Sequence, residues 1–455
     1  MPPVKPPEGI RFRRAKGGGM QGHRAREDGM AVVTEILQQS QGLIGMALIT
    51  VGAWALSEDR RAQPGLRWIF GALLLQVLIA LVVVRVPFVW SVIGLANHAV
   101  AAIEKATLVG SSYMFGYTGG APAPFVLKEG AASPLIIAFQ ILPLIIVYSA
   151  LAALLWQWGV LSRIVAGLSW ALRRTLGVSG VVGLSSGASI FLGVVEAPLV
   201  VRAYFERMSR SELFAVMTLA MATISGAILV LYAQTLARTV PDAVGHMISA
   251  SLISLPAAIL IARLMVPGTA ATEASVEETG LRYDSSIDAI VRGTMDGVQL
   301  FLAVIGMIIV IFALVALADQ VLALAPAVQG EPLSLRRIFG WLFAPLMWTL
   351  GVPWDQAPQA GALMGTKTIL NEYVAYMDLA ALPAGSLDPR SQLIVTYALC
   401  GVANLASVGL LVSTIGTLAP SRRAEAAGLG MKSWVAGNMA SAMTGAVIGL
   451  VTLVR

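Results

Sequence analysis

Two carboxylates stand inside stretches apolar enough to lie in a membrane. Glu196 sits in GASIFLGVVEAPLVVRAY (187–204) and Glu372 in APQAGALMGTKTILNEYVAY (357–376). An ionised carboxylate at mid-membrane depth costs at least about 2–3 kcal/mol and is rarely idle. Each is a candidate for binding a polar solute or carrying a cation. The competing reading is a structural charge satisfied by backbone amides or an arginine. Asn404 and Ser407, in TYALCGVANLASVG (396–409), lie one helical turn apart, so both can face one cavity; an interhelical hydrogen bond is their plainer role. Lys367, five residues before Glu372, is either its neutralising partner or a ligand contact. Asp288 and Asp296 read as capping or solvated groups of a short interfacial helix, and Asp319 as interfacial. Chemistry of other kinds finds no support. The histidines His23, His98 and His246 lack metal-ligand spacing, and the lone Cys400 precludes an intramolecular disulfide or a cysteine cluster. Without a nucleophile–base pair or a phosphate-binding loop, neither an enzyme nor an ATP-driven pump is expected, and no cofactor is implied beyond a coupling ion.

Positioning these groups falls to helices in a bilayer. The chain of 455 residues is 57% hydrophobic and 12% charged, about half the charge of a soluble domain. An all-α polytopic membrane protein follows, with room for about eight transmembrane helices, interfacial helices and re-entrant pieces. Spans are expected at Gly42–Leu56, Trp68–Val86, Pro134–Trp158, His246–Val266, Val298–Leu317 and Trp434–Val454. Residues 88–110 and Leu161–Leu176 read as interfacial helices, and Leu335–Trp354 as amphipathic. A span needs about 20 apolar residues. Ser189–Val201 and Ala357–Tyr376 are too short or too polar and read as re-entrant hairpins. Each precedes a helix interrupted by small, polar residues: Thr223–Gly226 within Ser211–Ala237, and Cys400–Ser407 within Gln392–Leu418. Irregular backbone at that depth is tolerated where protein or a water-filled cavity covers it. A hairpin-then-broken-helix order repeated in two halves points to a transporter binding site between them.

Charge sets the orientation. Arginines and lysines concentrate in the loops at 60–67, 163–174, 202–210, 263–292 and 422–432, with fewer at 85, 105, 128, 238, 336–337 and 455. The positive-inside bias makes the first set cytoplasmic and turns both termini outward. Residues 1–29, with seven basic and three acidic side chains, conflict with that placement. They read as a disordered basic tail or as an untranslated stretch before a start at Met30. The remaining units are 30–133 (scaffold), 134–245 (first half, with hairpin and broken helix), 246–334 (scaffold) and 335–455 (second half).

With SELFAVMTLAMATISGAIL (211–229), GTKTILNEYVAY (365–376) and LAPSRRAEAAGLGMKSWVAGNMAS (418–441) beside the stretches quoted above, the chain from about Leu37 onward resembles the concentrative nucleoside transporters. The resemblance implies a homotrimer in a bacterial inner membrane. Each protomer would hold a scaffold and a transport domain built on two hairpins related as an inverted repeat, moving as an elevator to import nucleosides by cation symport. It also implies site residues. Glu196 matches the first hairpin's acid, whereas Val194 and Val195 replace the two polar residues that approach the nucleobase. Asn371, Glu372, Asn404 and Ser407 match the ribose-binding set. Val402 replaces an aromatic, and Ile228 falls at the same site. Sodium-coupled members carry an asparagine where Ser189 stands, with further contacts at Leu192, Thr223 and Ile224. A hydroxyl is a poorer sodium ligand than an amide carbonyl, so proton coupling through Glu196 or Glu372 is favoured over sodium. A ribose reader with an apolar base edge is the expectation; a non-nucleoside solute on the same fold, or a membrane sensor, is the alternative.

Overall fold

The computed structural model describes residues 40–126, 136–194, 196–237, 239–268, 272–274 and 281–452. The tail 1–29 and Val195 lie outside them. The described residues are helical, with one isolated bridge between Val328 and Glu331. Three helices open the chain: α1 (Ser40–Ala55), α2 (Leu66–Arg85) and α3 (Pro87–Phe115). The short α4 (Ile137–Gln140) runs into α5 (Pro143–Gln157), and the amphipathic α6 (Val160–Leu176) follows. By length and composition, six helical stretches among the described residues can cross a membrane, and α1 and Leu405–Leu418 are shorter apolar helices. Together they match the expected number.

The first hairpin consists of α7 (Gly180–Ala188), an irregular tip and α8 (Glu196–Val200). Ser179 caps α7 by accepting the Val182 amide. The hairpin thus starts earlier than Ser189, because 180–188 is a continuous run of small and apolar residues with nothing to break a helix. The broken helix is α9 (Arg210–Ala222) and α10 (Gly226–Leu236), interrupted at 223–225. A capping box of Ser209 and Glu212 starts α9, satisfying two of the helix's orphan amides.

After α11 (Ala243–Met265) comes α12, a single helix over Ser286–Leu322. The expected short helix and separate span are one element of 37 residues. No proline interrupts it, and its glycines let it pack tightly on α5. A Cβ on Gly293 would lie 2.7 Å from the Ser149 carbonyl oxygen, and one on Gly297 2.7 Å from the Ile146 Cα. Next, α13 (Leu335–Thr349) packs against α14 (Ala357–Ile369), which with α15 (Glu372–Ala380) forms the second hairpin. The second broken helix is α16 (Pro389–Leu399) and α17 (Leu405–Leu418). The last helix, α18 (Arg423–Val451), begins eleven residues before the expected Trp434.

Basic loops gather at one end of the bundle. Arg210 and Lys432 both bond Glu58, Arg422 pairs with Glu425, and Trp68 reaches the Leu176 carbonyl. At another site Arg85 donates to Val451, and Arg390 donates to Gly351 and Gly449. The first group joins segments near 58–68, 176, 210 and 422–432, which the charge count assigns to one side.

Candidate functional site

The two breaks meet at the centre of the molecule. The Val402 amide in the second donates to the Thr223 carbonyl in the first at 3.3 Å. Gly401 makes this approach possible: its φ is +136°, and a Cβ there would lie 2.6 Å from Ser441 Oγ and 2.9 Å from the Ala222 carbonyl oxygen. The tip of the first hairpin rests on the same region, with the Gly226 amide donating to the Phe191 carbonyl at 3.1 Å.

Three interior helix starts carry their own caps. Ser225 accepts from the Ile228 amide, Asn371 from Tyr373 at 2.6 Å, and Asn404 from Ser407 at 2.9 Å. A short polar side chain that ends a helix break can also face the space the break opens. These caps and Glu196, the first residue of α8, border one cavity. The starts of α8, α10, α15 and α17 therefore converge on it.

Most residues expected at a solute site line this cavity: Val194, Glu196, Ile228, Asn371, Glu372, Val402, Asn404 and Ser407. Glu372 is buried, with 3% of its surface exposed. Its two oxygens are held separately, Oε1 by the Tyr232 hydroxyl at 2.6 Å and Oε2 by the Asn404 amide at 2.8 Å. A carboxylate offers about four lone-pair sites, so acceptor capacity remains for a solute hydroxyl. The rest of the lining is largely apolar: Leu231, Val304, Met307, Ile308 and Leu410 join Val194 and Ile228. The cavity thus has a polar wall built around Glu372 and a broad apolar wall to which α12 contributes.

Tyr232 was not anticipated. It lies four residues after Ile228, and that i,i+4 spacing puts both on one face of α10. It also stacks on Tyr373 at 5.6 Å between ring centroids.

The expected ion-coupling residues distribute differently. Ser189 and Thr223 are buried, and each hydroxyl donates to its own helix, at Ser185 and Leu219 respectively. Ile224 is fully buried. Leu192 faces a second cavity between the first hairpin, α5 and α12. Glu196 borders this cavity too, and so does Asp296, an exposed residue of α12. Asp288 fits its expected role, pairing with Arg292 at 2.8 Å. Asp319 accepts the Leu335 amide at 2.8 Å. Lys367 is fully buried and its ammonium donates to Asn438 at 2.9 Å; the neutralising contact expected with Glu372 is replaced by this one. Among the described residues no cluster of metal-ligating side chains occurs.

Three family models match the chain: the N-terminal part of Na+ dependent nucleoside transporters over 44–118, a nucleoside recognition (gate) model over 138–239, and the C-terminal part of Na+ dependent nucleoside transporters over 246–449. An uncharacterized transporter of Haemophilus influenzae is 34% identical over 90% of this chain and 96% of its own. The Helicobacter pylori nucleoside permease NupC is 31% identical over the same shares. The structure of CNTnw in an inward-facing, substrate-bound state superposes with a TM-score of 0.82 at 34% identity, covering 90% of this chain and 97% of that one.

Proposed function

The chain belongs to the nucleoside transporter family that these relatives share, and we propose that it imports nucleosides or other ribosides across the bacterial plasma membrane as a cation-coupled secondary transporter. The observation that carries the reading is the polar wall: a buried Glu372 with its oxygens held apart by Tyr232 and Asn404, in a cavity otherwise lined by apolar side chains. Vicinal ribose hydroxyls are donors that suit a carboxylate, and bonds to a charged group contribute about 1.5–3 kcal/mol each. The apolar wall supplies area for the base but little hydrogen bonding to its edge, so specificity rests on the sugar. The same geometry supports the alternative of a non-nucleoside solute carrying a vicinal diol.

The hairpins and broken helices, within 134–245 and 335–455, form the moving unit in this reading, and 30–133 with 246–334 the scaffold. Three such protomers assemble and each works as an elevator, with the Arg-rich end cytoplasmic. The coupling ion is a proton. A hydroxyl such as that of Ser189 is a poorer sodium ligand than an amide carbonyl, and Glu196 and Glu372 are the carboxylates at the cavity that can carry a proton. Uptake of labelled nucleosides, free bases and other ribosides into proteoliposomes, with pH and sodium gradients imposed separately, tests both parts. Riboside accumulation driven by the pH gradient alone is expected, with Glu372→Gln raising KM at least tenfold. Accumulation that follows sodium at fixed pH overturns proton coupling, and a Glu372→Gln protein with native KM overturns the sugar site.

A further inference from the structure

Lys367 touches neither cavity, yet it is a fully buried ammonium inside the second hairpin. A buried cation is costly unless its hydrogen bonds are met, and a group kept at that cost has a geometric role to be found. Its donor is aimed at Asn438 Oδ1 on α18 at 2.9 Å, and the Thr368 hydroxyl meets the same oxygen at 3.2 Å. The other end of that amide, Nδ2, donates to the Ala403 carbonyl at 2.9 Å and to the Trp434 carbonyl at 3.0 Å. Ala403 is the residue before Asn404, whose own amide grips Glu372. The contacts close a ring that runs from the second hairpin through α18 and the break between α16 and α17, and back to the hairpin at Glu372.

We propose that Lys367 is a positioning residue for solute recognition, acting through Asn438 to fix the backbone that presents Asn404 to Glu372. An ammonium is a donor only, and an asparagine amide has one accepting and one donating end. With Lys367 in place, Asn438 has a single satisfied orientation: oxygen toward the lysine and nitrogen toward the Ala403 and Trp434 carbonyls. Turned over, it would set donor against donor and oxygen against oxygen. The lysine therefore pins the oxygen end of the amide as the two carbonyls pin its nitrogen end, and the amide so held braces the break. The indole of Trp434 donates to the Thr368 carbonyl at 3.1 Å and ties α18 to the hairpin independently, so removing the lysine leaves the helices packed while loosening the oxygen end of the amide.

The inference rests on the riboside reading, and two readouts keep them apart. Full-length protein in proteoliposomes is compared with Lys367→Met, which keeps length and loses the donor, and with Asn438→Asp, which still accepts from Lys367 but cannot donate to Ala403. The first readout is the preference for a riboside over its 2′,3′-dideoxy analogue. Both variants are expected to lower it at least tenfold through KM, with Vmax within threefold of native. A general packing defect would lower uptake of both solutes together. The second readout is Cys400, the chain's only cysteine and fully buried in the same break; N-ethylmaleimide is expected to label it faster in both variants. Should native protein show no riboside preference, the riboside reading fails and the thiol alone decides. If Lys367→Met does not accumulate, Asn438→Asp carries the comparison. A native preference, or native labelling where no preference exists, in either folded variant overturns the proposal.

Discussion

Val194 at the hairpin tip and Tyr232 on α10 line the same cavity and determine different parts of what it can hold. The valine has no donor or acceptor, so a base edge placed beside it loses its water without replacement. Each unmet polar group costs about 1–3 kcal/mol. Val194→Gln supplies an amide there, and its effect is expected on one class of solute. KM for uridine or cytidine should fall about fivefold in competition assays, with little change for ribosides that lack a polar base edge. In the proposed reading Tyr232 belongs to the sugar side, because its hydroxyl donates to Glu372 Oε1 at 2.6 Å. Tyr232→Phe removes that bond while keeping the ring stacked on Tyr373. A loss near 1 kcal/mol should raise riboside KM about threefold to tenfold, read from concentration-dependent uptake, with expression unchanged.

At the scale of elements, the crossing of two helix breaks is the joint on which the site depends. Gly401 at φ +136° holds it, with Ser441 Oγ and the Ala222 carbonyl filling the space a side chain would need. Gly401→Ala adds backbone strain of about 1–3 kcal/mol to that clash. The expected outcome is a clearly lower midpoint of thermal unfolding, followed by size-exclusion in detergent, together with weakened riboside binding. These breaks and both hairpins were legible in the sequence, because clustered small and polar residues inside an apolar run interrupt a helix and at membrane depth must face protein or a wet cavity. Eight of the expected solute-site residues fall on one cavity for the same reason. Element boundaries were harder to read where charge misled. Asp288, Arg292 and Asp296 made the start of α12 look like a separate interfacial helix, although the acids and the arginine occupy one uninterrupted helix. Arg423, Glu425 and Lys432 looked like loop residues. They belong to α18, where Glu425 meets Arg210 and Arg422, and Lys432 meets Glu58. Tyr232 carried no signal beyond its helical spacing, since a tyrosine in an apolar helix is ordinarily core.

Across the whole molecule, the ion cluster at Glu58 joins the turn between α1 and α2 to the start of α9 and to α18. Hydrogen bonding to Arg210, then to Lys432, holds the Glu58 carboxyl at about 2, below its ordinary 4.5, against the opposing effect of its partial burial. A depressed carboxylate stabilises the fold fully above about pH 4.5 and loses that contribution as pH falls toward 2. Glu58→Gln should therefore lower the unfolding midpoint by a degree or two at pH 7, as suits an exposed pair worth up to about 1 kcal/mol. The gap between the two proteins should narrow below pH 4.5 and close near pH 2, measured by thermal scans in detergent. The other long-range feature is Glu196, which forms part of the wall of both cavities. Under the proposed proton coupling, a carboxylate placed there would need no distant relay between cargo and coupling ion. If a proton on Glu196 tightens riboside binding by some factor, bound riboside must raise the affinity of Glu196 for that proton by the same factor. Loading is then reciprocal: the solute recruits its own driving ion, and either one alone leaves the carrier half-charged for the crossing.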